Sequence, residues 1–300
     1  MDTYRSTRRP LASRRNLSSR LTESQSDHSH QASYKKIFLT NKTGMEDFER
    51  RIRVWHENIR IFEDHVPPRA SLKVSYDPSF EFDRTKYGTM RTDIRVIDKD
   101  TLDATLDLIE QGMHPLVLNM ADIHNPGGCV SCGGGMQEES LFRRTNYHRH
   151  LSRSFYPIGE REAVVSFDVD IIRECERDGF EFLKFSKSAS FLACPCISMP
   201  QLVDNRFSEK DIQLFREKVR LVLSVAHKYG HDSIVLGAWG CGAFGCPPKH
   251  VAEIMFAEIE QVEGCFKKIV FAILGKNIDF FHLAENEKKS RKLSEGTSPK

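Results

Sequence analysis

The fold is decided by residues 115–139, which read PLVLNMADIHNPGGCVSCGGGMQEE. The stretch opens with a nearly continuous apolar run from Pro115 to Ala121, of the kind that is buried on both faces of a sheet. A glycine-rich loop follows, and a helix is predicted to begin near Gln137. A buried strand, a glycine-rich loop and a helix in this order are typical of an α/β sheet that binds its ligand at the carboxyl edge of the strands.

A second stretch of the same kind lies later in the chain. Ser233 to Leu236 is predicted to be a buried strand, and residues 237–246, GAWGCGAFGC, form a second glycine-rich loop before a helix opened by Pro247 and Pro248. Glycine lets backbone amides approach a ligand closely, and amides at a helix start attract phosphate. Neither loop matches a Walker A or dinucleotide motif. Together they predict a diphosphate site, with glycines that serve only tight turns as the simpler alternative.

The flanking elements also alternate, which predicts a mixed, mostly parallel α/β sheet with helices on both faces. A helix is predicted from the cap Thr101 to Gly112, and another begins at a capping box of Ser208 and Asp211. Further strands are predicted at Thr92–Ile97, Ala163–Asp168, Phe180–Phe185, Ser190–Cys196 and Lys268–Leu274.

The chain divides into four predicted parts. Residues 1–36 hold six Arg, two Lys and eight Ser, which indicates a disordered basic tail, with a nuclear-import or a mitochondrial targeting segment as alternatives. Residues 37–91 form a helical extension, because apolar residues recur at helical spacing from Met45 to Phe62. Residues 92–283 form the catalytic domain, and residues 284–300 form a polar, Lys-rich tail.

Bulk composition excludes several classes of protein. The 300 residues carry a formal net charge of only +2 and contain no long apolar run, so no membrane span is expected and the overall charge does not favour nucleic acid or a membrane surface. The first thirty residues lack the apolar segment of a secretory signal. Eight cysteines over this length do not resemble a disulfide scaffold and are expected to be mostly free thiols.

The triplet Gln137, Glu138 and Glu139 begins the helix after the first loop, where carboxylates can simply cap the helix. Adjacent helical residues point about 100° apart, so the two glutamates would have separate roles. Glycosidic cleavage needs an acid to protonate the departing oxygen and stabilisation of an oxocarbenium-like transition state. A glutamate beside a second carboxylate would have its pKa raised by like charge, which suits such an acid.

These motifs resemble the poly(ADP-ribose) glycohydrolase family, and most closely its microbial-type branch, which has a macrodomain fold. The resemblance rests on LNMADIHNPGGCVSCGGGMQEESLFRR from residue 118, IVLGAWGCGAFGCPP from residue 234 and IVFAIL from residue 269. It covers roughly residues 92–283. The resemblance implies a macrodomain-like fold and hydrolysis of ribose–ribose O-glycosidic bonds in ADP-ribose polymers.

The resemblance also implies roles for individual residues. Glu139 matches the catalytic glutamate that protonates the leaving ribose hydroxyl and then helps to activate water, and Glu138 matches the neighbour that hydrogen-bonds the substrate ribose. The other implied substrate-binding positions are Asn119, Asp122, Gly127, Gly128, Gln137, Gly240, Gly242, Phe244 and Gly245. Cys129 replaces the third signature glycine, and its β-carbon could narrow the diphosphate site or demand a different φ.

Two other functions remain open at this stage. An ADP-ribose reader would bind without cleaving, but it would need neither Glu138 nor Glu139. A mono-ADP-ribosyl hydrolase would use the same acid on single units. A four-cysteine zinc site could also form if Cys129 and Cys132 converged with Cys241 and Cys246, although zinc would then occupy the phosphate space.

Four side chains near the loops have a functional and a simpler interpretation. His124 could touch substrate or face solvent, and Trp239 is expected to anchor the second loop by packing. Arg143 and Arg144 could offer charge to phosphates or form a solvated helix face.

No metal or other cofactor is expected. The expected partners are ADP-ribose polymer and ADP-ribosylated proteins, without membrane or direct nucleic-acid binding by the core, and the expected state is a monomer. The expected compartment is the nucleus or cytoplasm, with mitochondria open because of the basic N-terminus. The resemblance further implies a role in reversing ADP-ribosylation, including after DNA damage.

Overall fold

The computed structural model describes residues 42–85, 87 and 91–295, and the tail predicted for residues 1–36 lies outside these ranges. Helices and strands alternate through most of the described chain. The helices are α1 (Lys42–Ile61), α2 (Thr101–Glu110), α3 (Gln137–Arg144), α4 (Glu209–Lys228), α5 (Pro248–Glu260) and α6 (Ile278–Glu295). The strands are β1 (Leu72–Ser75), β2 (Asp93–Ile97), β3 (Pro115–Asn119), β4 (Glu162–Arg173), β5 (Phe182–Ala193), β6 (Leu202–Val203), β7 (Arg206–Phe207), β8 (Ser233–Leu236) and β9 (Lys268–Ala272).

Seven of these strands form one mixed sheet in the order β1-β4-β5-β3-β8-β9-β2. The five strands from β5 to β2 are parallel neighbours, whereas β1 and β4 add an antiparallel edge. The predicted fold class, a mostly parallel sheet within an α/β domain, is therefore confirmed. β6 and β7 form a separate two-stranded hairpin.

Helices cover both faces of the sheet because strand side chains alternate between them. Leu116 and Leu118 of β3 lie in a core cluster with Phe215 of α4 and Met255 of α5. Val117, between them in sequence, lies in the opposite cluster with residues of α2 and α3. The central strands β3 and β8 are buried at every position and mostly apolar, because helices cover both of their faces.

Most predicted elements are present, with three differences. Phe180–Phe185 and Ser190–Cys196 were predicted as two strands, but β5 is one long strand whose first half pairs with β4 and leaves much of its side-chain surface exposed. Ser208 caps α4 as predicted, whereas α2 is capped by Asp100, one residue before the predicted Thr101. The polar segment after residue 283 continues as helix α6 to Glu295.

α6 is held against the domain by both apolar and charged side chains. Phe281 and Ala284 are buried in the main core cluster. Lys288 is also buried, and its amine lies 3.9 Å from a carboxylate oxygen of Glu260 in α5. Within the described residues, no helix combines the length and apolar character needed to cross a membrane.

Candidate active site

The two glycine-rich loops meet at one edge of the sheet. β3 and β8 are adjacent and parallel, so the segments that follow them leave the sheet on the same side. We call residues 125–139 the signature loop and residues 237–246 the second loop. A β-carbon placed on Gly242 would lie 2.8 Å from the terminal methyl carbon of Met136, so the two loops are in contact. The expectation that they face one cleft agrees with this geometry.

Glu138 is buried at the start of α3 and accepts three hydrogen bonds. Its Oε1 accepts from Asn119 Nδ2 and from the Gly127 N–H, each at 3.1 Å, and its Oε2 accepts from the Asp122 N–H at 2.7 Å. Burial raises the pKa of Glu138 to about 8, although these hydrogen bonds favour the carboxylate. Glu138 therefore ties the end of β3 to the signature loop.

Glu139 has one engaged and one available carboxylate oxygen. Its Oε1 accepts from the Cys129 N–H at 3.0 Å. Its Oε2 is buried and has no hydrogen-bond partner among the described residues. A buried acceptor without a partner is unusual, and beside the contact between the two glycine-rich loops it indicates a group that a ligand could complete.

The raised pKa of Glu138 has more than one cause. Like charge was expected to raise the pKa of the glutamate that acts as the acid. In the structure, burial is the largest cause of the raised pKa of Glu138, and the charge of Glu139 is a smaller cause.

The other polar residues at the end of β3 support the loop backbone. Gln137 donates to the Leu118 carbonyl at 2.8 Å and accepts from the Met120 N–H at 3.0 Å, so its amide bonds both to the end of β3 and to the first residue after it. Asp122 Oδ1 accepts from the N–H groups of His124 and Asn125 at 2.7 and 2.8 Å. The His124 side chain is exposed.

Both signature glycines have a positive φ and leave room for a neighbouring side chain. A β-carbon on Gly127 would lie 2.7 Å from the Phe142 ring, and one on Gly128 would lie 2.7 Å from Glu139 Oε1. Cys129 has a φ of −100°, so the replacement of the third glycine demands no left-handed backbone there. The concern about φ at Cys129 was therefore unfounded.

The second loop packs on the core through buried side chains, and several of its backbone N–H groups make no hydrogen bond to the described residues. Gly240 and Gly245 have φ values of +76° and +72°. Trp239 is fully buried and donates its indole N–H to the Cys194 carbonyl at 3.1 Å, which confirms its predicted packing role. Phe244 is half-buried against the main core. Within the described residues, the N–H groups from 242 to 244 have no acceptor.

Two tyrosines beside Glu138 were missed by the sequence reasoning. Tyr147 is fully buried, and the Tyr156 hydroxyl is also enclosed. Burial, together with the charge of Glu138, raises the pKa of both phenols. Both residues follow α3, where nothing in the sequence distinguishes them from ordinary core aromatics.

A solvated face of α3, the simpler of the two interpretations of Arg143 and Arg144, was wrong. Arg143 and Arg144 are both buried, and neither lies open to solvent. Arg144 pairs with Asp100 and with Asp103, the latter at 2.6 Å. Arg143 donates to the Gly134 carbonyl at 2.6 Å. Their burial follows from the close packing of α3 between the sheet and α1, which charge alone does not reveal.

The cysteines group differently from the suggested zinc site. Cys246 lies 3.6 Å from Cys196, measured between the sulfur atoms, and beneath the second loop. No disulfide links the eight cysteines, and the residues that the structure describes contain no cluster of three or more metal-binding side chains.

Comparison with known proteins gives a consistent picture. Residues 28–169 match the family model described as the microbial-type PARG catalytic domain, where PARG is poly(ADP-ribose) glycohydrolase. A crystal structure of PARG from Thermomonospora curvata has a TM-score of 0.65 and 24% identity, and the match covers 78% of this chain and 98% of that chain. No curated protein sequence matches.

A second solved structure is PARG from Deinococcus radiodurans in complex with ADP-ribose. It has a TM-score of 0.58 and 25% identity, with 68% of this chain and 88% of that chain covered. These matches confirm the predicted family resemblance and the macrodomain-like fold.

Proposed function

We propose that this chain hydrolyses the ribose–ribose O-glycosidic bonds of ADP-ribose polymers and releases ADP-ribose, because residues 28–169 match the model of the microbial-type poly(ADP-ribose) glycohydrolase catalytic domain. The observation that carries the proposal is the buried, unpartnered Oε2 of Glu139 where the two loops meet. A protein that only binds ADP-ribose has no need for such a group.

In this proposal the second loop binds the diphosphate. The amides from 242 to 244 are available to phosphate oxygens, and the positive φ at Gly240 and Gly245 sets the path of the loop. Phe244 would pack on the distal ribose. These contacts hold the substrate while the bond next to Glu139 reacts.

Glu139 supplies the proton that the departing ribose oxygen needs. Its protonated Oε2 donates that proton as the glycosidic bond breaks, and the resulting carboxylate then accepts a proton from the water that attacks the anomeric carbon. The Cys129 N–H holds the other oxygen in place throughout. One carboxyl group thus acts as acid and then as base.

Glu138 binds and orients the substrate ribose in this proposal. Its raised pKa allows it to donate as well as to accept a hydrogen bond near neutral pH. We assign supporting roles to Asn119, Asp122 and Gln137, which fix Glu138 and the end of β3. Gly127 donates its N–H to Glu138, and Gly128 leaves the space that the two carboxylates occupy.

The natural partners would be ADP-ribose polymer and ADP-ribosylated proteins. The formal net charge of +2 gives no general attraction for nucleic acid, and we propose a monomer that acts inside the cell, in the nucleus or cytoplasm. No cofactor takes part in the proposed reaction.

A substrate panel tests the proposed function. Purified wild-type protein and Glu139→Gln would be incubated with poly(ADP-ribosyl)ated and mono(ADP-ribosyl)ated protein, and free ADP-ribose would be quantified by chromatography. We expect release from polymer by the wild type alone. Release only from mono-modified protein would indicate a mono-ADP-ribosyl hydrolase. Binding of ADP-ribose without any release would indicate a reader.

A further inference from the structure

Arg143 is a buried cation close to the glycine run of the signature loop. Its side chain is only 1% exposed, and one guanidinium nitrogen donates to the Gly134 carbonyl. The other two nitrogens, Nε and Nη1, are buried without a hydrogen-bond partner among the described residues. A buried guanidinium with unused donors is unfavourable unless a negative charge lies nearby.

The carboxylate form of Glu139 supplies that charge. It precedes Arg143 by four residues on α3, so the two side chains lie on the same side of the helix. Burial lowers the pKa of Arg143 to about 10. The charge of Glu139, and to a smaller extent that of Glu176, opposes this effect, whereas the charge of Arg51 adds to it, and the guanidinium remains positive near neutral pH. Among the described residues, Arg143 therefore has two buried nitrogens without an acceptor, and Glu139, one helical turn earlier, has a buried oxygen without a donor.

Gly134 lies between the two side chains. A β-carbon on Gly134 would lie 3.0 Å from Glu139 Oε1, while the carbonyl of the same residue accepts from Arg143. On the next residue, a β-carbon on Gly135 would lie 2.6 Å from the guanidinium of Arg51 in α1. Arg51 is held by Glu176 through bonds of 2.8 and 3.0 Å.

We propose that Arg143 is a positioning residue for Glu139. It fixes the glycine run against which Glu139 rests, and its charge stabilises the carboxylate left after proton donation. Through Gly134 and Gly135 it also connects the acid to α1, so the N-terminal helix contributes to catalysis without touching substrate. The inference rests on the proposed glycohydrolase function.

The adjacent residue provides a matched control. Arg144 is as deeply buried as Arg143, but its guanidinium is fully engaged by Asp100, Asp103 and the Arg173 carbonyl. Loss of Arg144 therefore removes a buried charge and its ion pairs on the same helix without removing a group that faces Glu139.

The test compares Arg143→Met, Arg143→Lys and Arg144→Met with the wild type. For each protein, kcat and KM on ADP-ribose polymer would be measured over a range of pH. The assay temperature would lie below the unfolding temperature of every variant. For Arg143→Met we expect kcat to fall about 30-fold with little change in KM, because a misplaced catalytic group lowers kcat steeply. In the pH profile of kcat for Arg143→Met, the alkaline limb should move to higher pH by about one unit, because loss of a neighbouring positive charge favours the protonated carboxyl.

Arg143→Lys should keep the alkaline limb near the wild-type position, because the charge remains, while kcat falls through loss of the bond to Gly134. Arg144→Met should unfold at a lower temperature and keep the wild-type pH profile. Wild-type kcat and pH profile in Arg143→Met would overturn the inference, and so would equal losses in Arg143→Met and Arg144→Met. A wild-type protein without polymer hydrolysis would contradict the proposed function instead.

Discussion

The signature loop and the second loop follow neighbouring parallel strands and precede helices, but their backbone amides have different partners. In the signature loop, the N–H groups of Gly127 and Cys129 donate to Glu138 and Glu139. In the second loop, which has no charged residue, the N–H groups from 242 to 244 have no acceptor among the described residues. Two loops of similar glycine content thus differ in whether their backbone amides bond to carboxylates of the protein itself.

The difference separates two requirements of the proposed reaction. The signature loop uses its amides to hold the carboxylates of its own helix, so its glycines set the position of the acid. In the proposed reaction the second loop offers its amides to the diphosphate, so its glycines would set the shape of the anion site. Changes in the signature loop should therefore lower kcat, and changes in the second loop should weaken ligand binding.

Among the glycine substitutions in the two loops, Gly128→Ala should have the largest effect on activity. The added β-carbon would lie 2.7 Å from Glu139 Oε1 at a φ of +52°, so the acid must shift. We expect kcat on polymer to fall by about 100-fold, because small displacements of a catalytic group are costly. Gly179→Ala is the control, since it has a φ of +73° with nothing within 4 Å. A similar loss in both variants would refute the positional argument.

Gly240→Ala should affect ADP-ribose binding more than turnover. Its β-carbon would lie 2.5 Å from the Cys196 sulfur and 2.6 Å from the Cys246 sulfur, at a φ of +76°. Because the second loop must shift to relieve this contact, we expect ADP-ribose affinity measured by calorimetry to fall by roughly tenfold, or about 1.4 kcal/mol. Gly230→Ala, with open space at a φ of +79°, should retain wild-type affinity.

Glu138→Gln should change how stability depends on pH. The pKa of Glu138 rises from 4.5 to about 8 on folding, so the folded protein holds this proton more tightly than the unfolded chain. That contribution to stability is complete below pH 4.5 and is lost as pH rises through 8. The unfolding temperature of wild type minus that of Glu138→Gln should therefore fall between pH 5 and pH 9, by about 3 °C or more.

Thermal unfolding followed by circular dichroism would measure this difference. The second loop has no carboxylate, so Gly240→Ala should differ from wild type by the same amount at both pH values. If the difference in unfolding temperature between wild type and Glu138→Gln were the same at pH 5 and pH 9, the proton of Glu138 would not contribute to stability.

Gly242→Ala should have the smallest effect. Its φ is not in the left-handed region, and the one close neighbour of the added β-carbon is the flexible end of Met136, at 2.8 Å. We expect KM to rise by no more than about threefold with kcat unchanged, as for loss of a weak binding contact. Adding Met136→Ala should restore KM. A large fall in kcat would mean that the second loop also positions the acid.

The sequence was sufficient to predict the strands that carry both loops. β3 and β8 are short apolar runs between turn-forming residues, and their burial on both faces leaves few other structures open to them. The helix after Ser208 was also predictable, because its cap and its apolar spacing agree. In these places local pattern and tertiary structure give the same answer.

Other features depend on contacts that local patterns do not contain. The polar first half of β5 is a strand because β4 pairs with it. Arg143 and Arg144 look like a solvated pair, but tertiary ion pairs and hydrogen bonds allow their burial. The contact between Met136 and Gly242 joins two loops far apart in the chain. The residue types in the sequence were enough to identify the candidate acid. The residues that surround it could be identified only from the folded structure.

The most direct test compares Glu139→Gln with wild type in two measurements on the same preparations. One is the rate of ADP-ribose release from polymer, and the other is the calorimetric affinity for ADP-ribose. We expect release to fall by about 1,000-fold, the scale of general acid–base catalysis, with affinity unchanged within a factor of about three. Wild-type release by Glu139→Gln would contradict the central claim that the signature loop carries the acid.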